Sequence, residues 1–198
     1  VETGGVVLGS SEHPLFGARG PLFGTSEYLK DGLLSLYEAT GDDPVRQRMT
    51  QLIDAVLDAS EHPSRFGPIP SSSSEVNGEM LQVLARVVRL TRDPRQREML
   101  ARIADAAVDQ MLASNHGLPA HTFDYQNDTP VKPEDPLRDH GNEIIPGLAE
   151  AYRYAVEVAP TDTPWRDRAD RWAQPLARMF ELILRHGRLE NGLLANSM

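Results

Sequence analysis

Apolar residues recur along this chain at steps of three and four, which is the spacing of one face of an α-helix. The pattern occurs in three pairs of segments, and a short polar break containing proline divides each pair. In each break an Asp or Thr precedes proline, as expected where an N-cap residue is followed by proline in the first helical turn. The pattern predicts three antiparallel helical hairpins, at about 25–59, 75–113 and 142–186.

The segments that lead into the hairpins are much longer than the turns inside them. They cover residues 1–24, 60–74 and 114–140. Because consecutive hairpins in one layer begin on the same side, these segments should gather at one end of the helices, where sites are often built. Five of the six histidines and four of the five phenylalanines lie there. We expect a functional site at this end; the alternative is that these rings only pack onto helix ends.

Composition excludes several classes of partner. The 198 residues include 20 Lys and Arg against 29 Asp and Glu, a net charge of −9 that repels nucleic-acid phosphates and anionic lipid headgroups. No apolar run approaches the roughly 20 residues needed to span a bilayer. The absence of cysteine excludes thiolate metal sites, and no glycine-rich phosphate-binding motif is present. We expect no nucleic acid, membrane or cofactor as partner, and the localisation, cytoplasmic or exported, stays open.

Three sequence segments resemble the hairpins of the six-hairpin (α/α)₆ toroid superfamily: EYLKDGLLSLYEATGDDP, NGEMLQVLARVVRLTRDP and GNEIIPGLAEAYRYA. This superfamily includes glycoside hydrolases, polysaccharide lyases and sugar epimerases, and its substrate cleft lies where the inner helices begin. The resemblance implies an all-α fold of toroid-type hairpins. A complete toroid has six hairpins, so we expect residues 1–198 to form one helical-hairpin domain of a larger ring. The rest of a longer chain or a second subunit would complete that ring.

Three acidic residues near the beginnings of the predicted inner helices are candidates for catalysis: Glu143, Asp139 and Glu79. Cleavage of a glycosidic bond needs one carboxylic acid to protonate the leaving oxygen and one carboxylate to activate water or attack, about 5 to 9.5 Å apart. Structural alternatives remain open for all three. Asp139 would cap its helix, Glu143 would favour the positive end of the helix dipole, and Glu79 would belong to a capping box.

Polar and aromatic residues near the same helix entries are candidates for substrate contact: Asn77, His121, Phe123, Tyr125, Arg138, His140 and Asn142. A metal site built from histidines and Asp124 has no supporting ligand motif, so we expect none.

The expected function is that of a carbohydrate-active enzyme, most simply a glycoside hydrolase with a carbohydrate substrate. One alternative is a uronate-directed lyase or epimerase at the same face, in which His121 or Tyr125 removes a proton while Arg138 or Asn142 neutralises the carboxylate. Another is a non-catalytic helical-repeat module that binds a glycan or a peptide. Converging carboxylates favour an enzyme, whereas carboxylates held in helix caps favour the module.

Overall fold

A computed structural model describes residues 20–134, 137, 142–195 and 197 of the chain. Most of these residues are helical, which confirms the expectation of a largely α-helical fold. The pattern did not predict the small antiparallel sheet of two strands. Within the described ranges, no helix combines the length and apolar character required to cross a bilayer.

The elements follow the predicted apolar segments closely. Helix α1 has three consecutive parts, and α4 has two, because each contains a π-helical stretch. The helices are α1 (Gly20–Glu27, π-helical Tyr28–Leu34, Ser35–Thr40), α2 (Asp43–Asp58), α3 (Ser74–Thr91), α4 (Pro94–Ala106, π-helical Ala107–Leu112), α5 (Ile144–Val158) and α6 (Thr163–His186). The strands are β1 (Thr122–Asp124) and β2 (Thr129–Lys132).

An aspartate occupies the N-cap position of α2, α4 and α6, and its side chain makes capping hydrogen bonds in α4 and α6. The Asp93 carboxylate accepts hydrogen bonds from the backbone N–H groups of Arg95 and Gln96, which confirms the predicted cap of α4. In the other two breaks the cap lies one residue earlier than predicted, at Asp42 and Asp162. Proline is tolerated in these first turns because the missing N–H has no intrahelical partner there.

Helix α6 runs without a break through Pro175, although an internal proline predicts a kink or a split near Trp172. Packing on both sides of the proline holds the helix in place. Trp172 and Leu176 are buried, and the Trp172 indole donates to the Asp105 carboxylate of α4 at 3.0 Å. Asp105 also pairs with Arg168, again at 3.0 Å. These contacts offset the backbone hydrogen bond that proline removes.

Helices α1, α3 and α5 lie side by side, and each also packs against the helix that follows it. The closest approach is between α3 and α5. A Cβ atom placed on Gly78 would lie 2.3 Å from the backbone carbon of Glu143, and one placed on Gly147 would lie 2.5 Å from the Gly78 oxygen. The two backbones are therefore in direct contact, which only glycine at both positions permits.

The two long segments that precede α3 and α5 are bound to each other. Ser73 and Thr122 form an isolated antiparallel bridge. The Gln110 side chain accepts a hydrogen bond from the Arg65 backbone and donates to the Tyr125 carbonyl and the Asp128 carboxylate. These bonds satisfy buried polar groups and hold both segments together around the start of α3.

The α3–α5 contact predicts that Gly78→Ala lowers the free energy of unfolding by about 3 kcal/mol, because the new methyl group forces the helices apart. Gly24→Ala in α1 is the matched control. No atom lies within 4 Å of a Cβ at Gly24, so that variant should gain about 0.5 to 1 kcal/mol from helix propensity. Urea unfolding measures both changes. Equal stability of the two variants would contradict the close approach.

Candidate functional site

A group of five polar side chains lies where α1, α3 and the start of α5 meet. Ser26 and Lys30 come from α1, Glu79 and Gln82 come from α3, and Glu143 is the N-cap residue of α5. We call these five residues the Lys30 cluster. Residues three or four apart share a face of a helix, so α1 and α3 each direct two of these side chains to one place. The close contact between α3 and α5 brings the fifth side chain, Glu143, to the same place.

The Lys30 ammonium group lies between two carboxylates. Its Nζ atom is 2.8 Å from Glu143 Oε2 and 3.8 Å from Glu79 Oε1. Gln82 Nε2 donates to the same Glu143 oxygen at 2.6 Å. The side chain of Glu79 is 2% exposed and that of Glu143 is 23% exposed, so the cluster reaches solvent through Glu143.

The two carboxyl groups have different electrostatic surroundings. Burial raises the pKa of Glu79 to about 8, and the smaller opposite effect of the Lys30 charge does not cancel this rise. Glu143 Oε2 instead accepts hydrogen bonds from both Lys30 and Gln82. The raised pKa keeps Glu79 protonated at neutral pH, and Glu143 is the carboxyl group that lies closer to the ammonium.

Lys30 keeps its positive charge in this partly enclosed place. Burial alone works to lower the pKa of Lys30, but the hydrogen bond to Glu143 and the neighbouring carboxylates raise it above its usual value. The residue also lies within the π-helical part of α1. Such insertions are frequent at functional sites, because they change the direction in which nearby side chains point.

The structure brings together two of the three predicted catalytic residues, Glu79 and Glu143. Neither carboxylate caps its helix: the Glu143 side chain makes no capping hydrogen bond, and Glu79 Oε2 bonds to Ser26. The N-cap of α3, Ser73, also makes no side-chain capping bond, so the capping-box alternative for Glu79 is wrong. The third candidate, Asp139, lies outside the described residues, as do Arg138 and His140.

Three predicted substrate contacts are enclosed in the protein. Asn77 is fully buried, and its side chain makes two hydrogen bonds to the backbone of Ser71. The rings of Phe123 and Tyr125 pack edge to face at 4.9 Å, and both are buried. In this structure these side chains bind the long segments around the start of α3, and their contact with a sugar stays a prediction.

His121 and Asn142 are partly exposed. The backbone of His121 accepts from Ser74 and donates to Glu134, which fixes this residue beside the start of α3. The carbonyl of Asn142 accepts from Ile145 N in the first turn of α5. Over the described ranges, no three His, Asp or Glu side chains are arranged to hold a metal ion.

Sequence reasoning missed Ser26, Lys30 and Gln82. A signal for Lys30 was present, because it is one of only two lysines and its neighbours Leu29 and Leu33 belong to the apolar face of α1. A lysine on such a face needs a buried counter-ion, and two carboxylates were already candidates. Which carboxylate it meets depends on the packing of three helices.

Two hollows lie away from the Lys30 cluster. One, of about 730 Å³, lies between the π-helical part of α4 and the middle of α6. Another, of about 650 Å³, lies between the C-terminal ends of α1 and α3 and the middle of α5. The arginines that line the second are already paired, Arg86 with Glu38, Arg89 with Glu157 and Arg153 with Glu150. Neither hollow is lined by Glu79 or Glu143, so we assign the candidate site to the cluster.

No protein-family model, curated protein or solved structure matches this chain. The function is therefore inferred from the geometry of the described residues.

The protonated Glu79 predicts a specific dependence of stability on pH. Between pH 4.5 and about 8 the native state keeps a proton that the unfolded state has released, so the free energy of unfolding should fall as pH rises, by up to about 1.4 kcal/mol per pH unit. Glu79→Gln should remove this slope. Urea unfolding at several pH values measures the difference between the two proteins.

Glu27→Gln, an exposed change in α1, is the control and should keep the wild-type slope. A slope that persists unchanged in Glu79→Gln would show that Glu79 is ionised in the folded protein.

Proposed function

We propose that this chain belongs to a carbohydrate-active enzyme, most simply a glycoside hydrolase that uses Glu79 and Glu143. The observation that carries the proposal is the placement of two carboxyl groups of different burial around Lys30, with the pKa of the enclosed Glu79 raised to about 8. Acid–base catalysis at neutral pH needs an acid that stays protonated beside a second carboxyl group.

The spacing of the pair is compatible with glycosidic cleavage. Lys30 Nζ lies 2.8 Å from one oxygen of Glu143 and 3.8 Å from one oxygen of Glu79, so these two oxygens are at most about 6.6 Å apart. Glycosidase carboxyl groups are separated by about 5 to 9.5 Å, so the limit admits the shorter part of that range. In this proposal Glu143, the more exposed group, activates water or attacks the sugar. Glu79 is the acid that protonates the leaving oxygen.

The enclosure of Glu79 adds a condition to this mechanism. Its side chain is 2% exposed, so a leaving group meets it only after the Lys30 ammonium or the first turn of α5 has moved. A sugar that bonds to Glu143 would compete with Lys30 for that carboxylate. We propose that substrate binding opens the cluster by this competition.

We further propose that the helix pairs α1–α2, α3–α4 and α5–α6 are of the (α/α)₆ toroid type, with α1, α3 and α5 as inner helices. The adjacency of these three helices supports the proposal. So do the exposed apolar side chains along them, among them Tyr28, Leu36 and Val156. Further hairpins, from a longer chain or a second subunit, would cover such side chains. The Lys30 cluster then lies toward the end where the inner helices begin.

The enclosure of the Glu79 side chain also favours a second candidate function, that of a non-catalytic helical-repeat module that binds a glycan or a peptide. In that case the Lys30 cluster only joins three helices. A uronate lyase or epimerase is less well supported, because Tyr125 is fully buried and burial raises the pKa of its phenol. A tyrosine in that state is a poor proton acceptor for a bound sugar.

The hydrolase proposal predicts that Glu143→Gln and Glu79→Gln each lower kcat by about 10² to 10⁴-fold, the usual contribution of a general acid or base. The activity should also decline as pH rises through about 8, where the pKa of Glu79 leaves the acid unprotonated. Release of reducing sugars from a panel of glycosides and polysaccharides, measured on the complete protein, reports both effects.

Glu150→Gln is the matched control, since it changes a carboxylate two turns further along α5 and should keep wild-type activity. An unsaturated product that absorbs in the ultraviolet would support a lyase instead. Glycan binding that is unchanged in both variants, without any product, would support the non-catalytic module.

A further inference from the structure

Ser26 is a fully buried hydroxyl that lies between two oxygen atoms. Its Oγ is 2.9 Å from the Phe23 carbonyl oxygen, three residues earlier in α1, and 2.5 Å from Glu79 Oε2. Both distances are within hydrogen-bonding range. The catalytic scheme proposed above assigns no role to this residue.

The hydroxyl has one proton to share between these two neighbours. A backbone carbonyl can only accept, so if both contacts are hydrogen bonds the Ser26 proton goes to Phe23. The contact with Glu79 must then be donated by Glu79 itself. This requires a carboxylic acid O–H on Oε2 and gives a chain of two hydrogen bonds, from Glu79 to Ser26 and from Ser26 to Phe23.

The charges around Glu79 favour the same assignment. The charged groups that act on it, within the described part of the chain, are Lys30 from α1, Glu75 from its own helix and Glu143 from α5. Lys30 is closer to Glu143, at 2.8 Å, than to Glu79, at 3.8 Å. An ionised Glu79 would therefore add an uncompensated negative charge to a buried place, at high cost.

We propose that Ser26 is a positioning residue that holds the acidic proton of Glu79 on Oε2. The other oxygen, Oε1, then faces Lys30 with its lone pairs. Ser26 thereby stabilises the protonated form of Glu79 while that side chain is enclosed. It also fixes which Glu79 oxygen carries the proton. The location of the proton is inferred from the two contacts of Ser26, whereas its use in catalysis rests on the proposed function.

The direction of the Ser26–Glu79 hydrogen bond decides whether removal of the Ser26 hydroxyl lowers or raises the pKa of Glu79. If Glu79 donates to Ser26, the bond stabilises the protonated acid, and removing the hydroxyl lowers the pKa of Glu79. If Ser26 donates to an ionised Glu79, the bond stabilises the carboxylate, and removing the hydroxyl raises that pKa. The two arrangements therefore predict shifts of opposite direction for the same variant.

The experiment is an infrared titration of the full chain that follows the C=O stretch of a protonated carboxyl group. The Glu79 band is identified by its loss in Glu79→Gln. In the wild type we expect the band to be present at pH 6 and to disappear as pH rises through about 8. In Ser26→Ala the midpoint should fall by about one pH unit, because one buried hydrogen bond contributes about the free energy that corresponds to a shift of one pKa unit. Ser26→Thr keeps the hydroxyl and should stay near the wild-type midpoint.

A midpoint that rises or stays the same in Ser26→Ala would overturn the proposal, and so would the absence of a Glu79 band in the wild type at pH 6. Circular dichroism checks that each variant is folded. If Ser26→Ala does not fold, Ser26→Cys makes the same comparison, because a thiol of similar shape is a much weaker acceptor. Its midpoint should also fall.

The titration needs no substrate, so its outcome is separate from that of the hydrolase proposal. If the midpoint shifts in the expected direction but no glycosidase activity is found, the proposed location of the proton on Glu79 is supported and the hydrolase proposal is contradicted. Where activity is found, the high-pH limb of the kcat/KM profile should move with the infrared midpoint in Ser26→Ala and recover in Ser26→Thr. A merely structural role would lower activity without moving that limb.

Discussion

The direct contact between the backbones of α3 and α5 is the constraint on which the candidate site depends. Gly78 and Gly147 have no side chains to keep these helices apart, so the N-cap of α5 lies against the first turns of α3. Glu143 is thereby brought to Gln82 and to Lys30, and the long segment before α5 is brought over the start of α3. A side chain at either glycine would meet the backbone of the neighbouring helix and force the start of α5 away from α3.

The raised pKa of Glu79 follows from the balance of charges within the Lys30 cluster. One ammonium group faces two carboxyl groups in a place with little water, and it lies closer to the more exposed of them. The enclosed one, Glu79, is left without a sufficient counter-ion and keeps its proton. Two chemically identical side chains therefore differ because one is enclosed and keeps its proton, and acid–base catalysis at neutral pH requires such an acid.

Prediction from sequence was most successful where local rules apply. The positions of the helices follow from the period of apolar residues, and the cap at Asp93 follows from its place before proline. It was least successful for the long segments. Their aromatic rings were expected to meet a ligand, yet Phe123 and Tyr125 pack against each other, because an apolar ring is stabilised by whatever surface covers it. Sequence periodicity gives no information about that surface.

The sequence by itself determined the helical segments, the absence of thiol chemistry and the choice of Glu79 and Glu143 as candidates. Tertiary structure alone decided that these two glutamates lie on either side of Lys30, that Ser26 bonds to one of them, and that the Asn77 side chain bonds to the backbone of Ser71. The physical reason is distance along the chain. Caps and helical periods act over a few residues, whereas a pKa is set by burial and by charges that come from three separate helices.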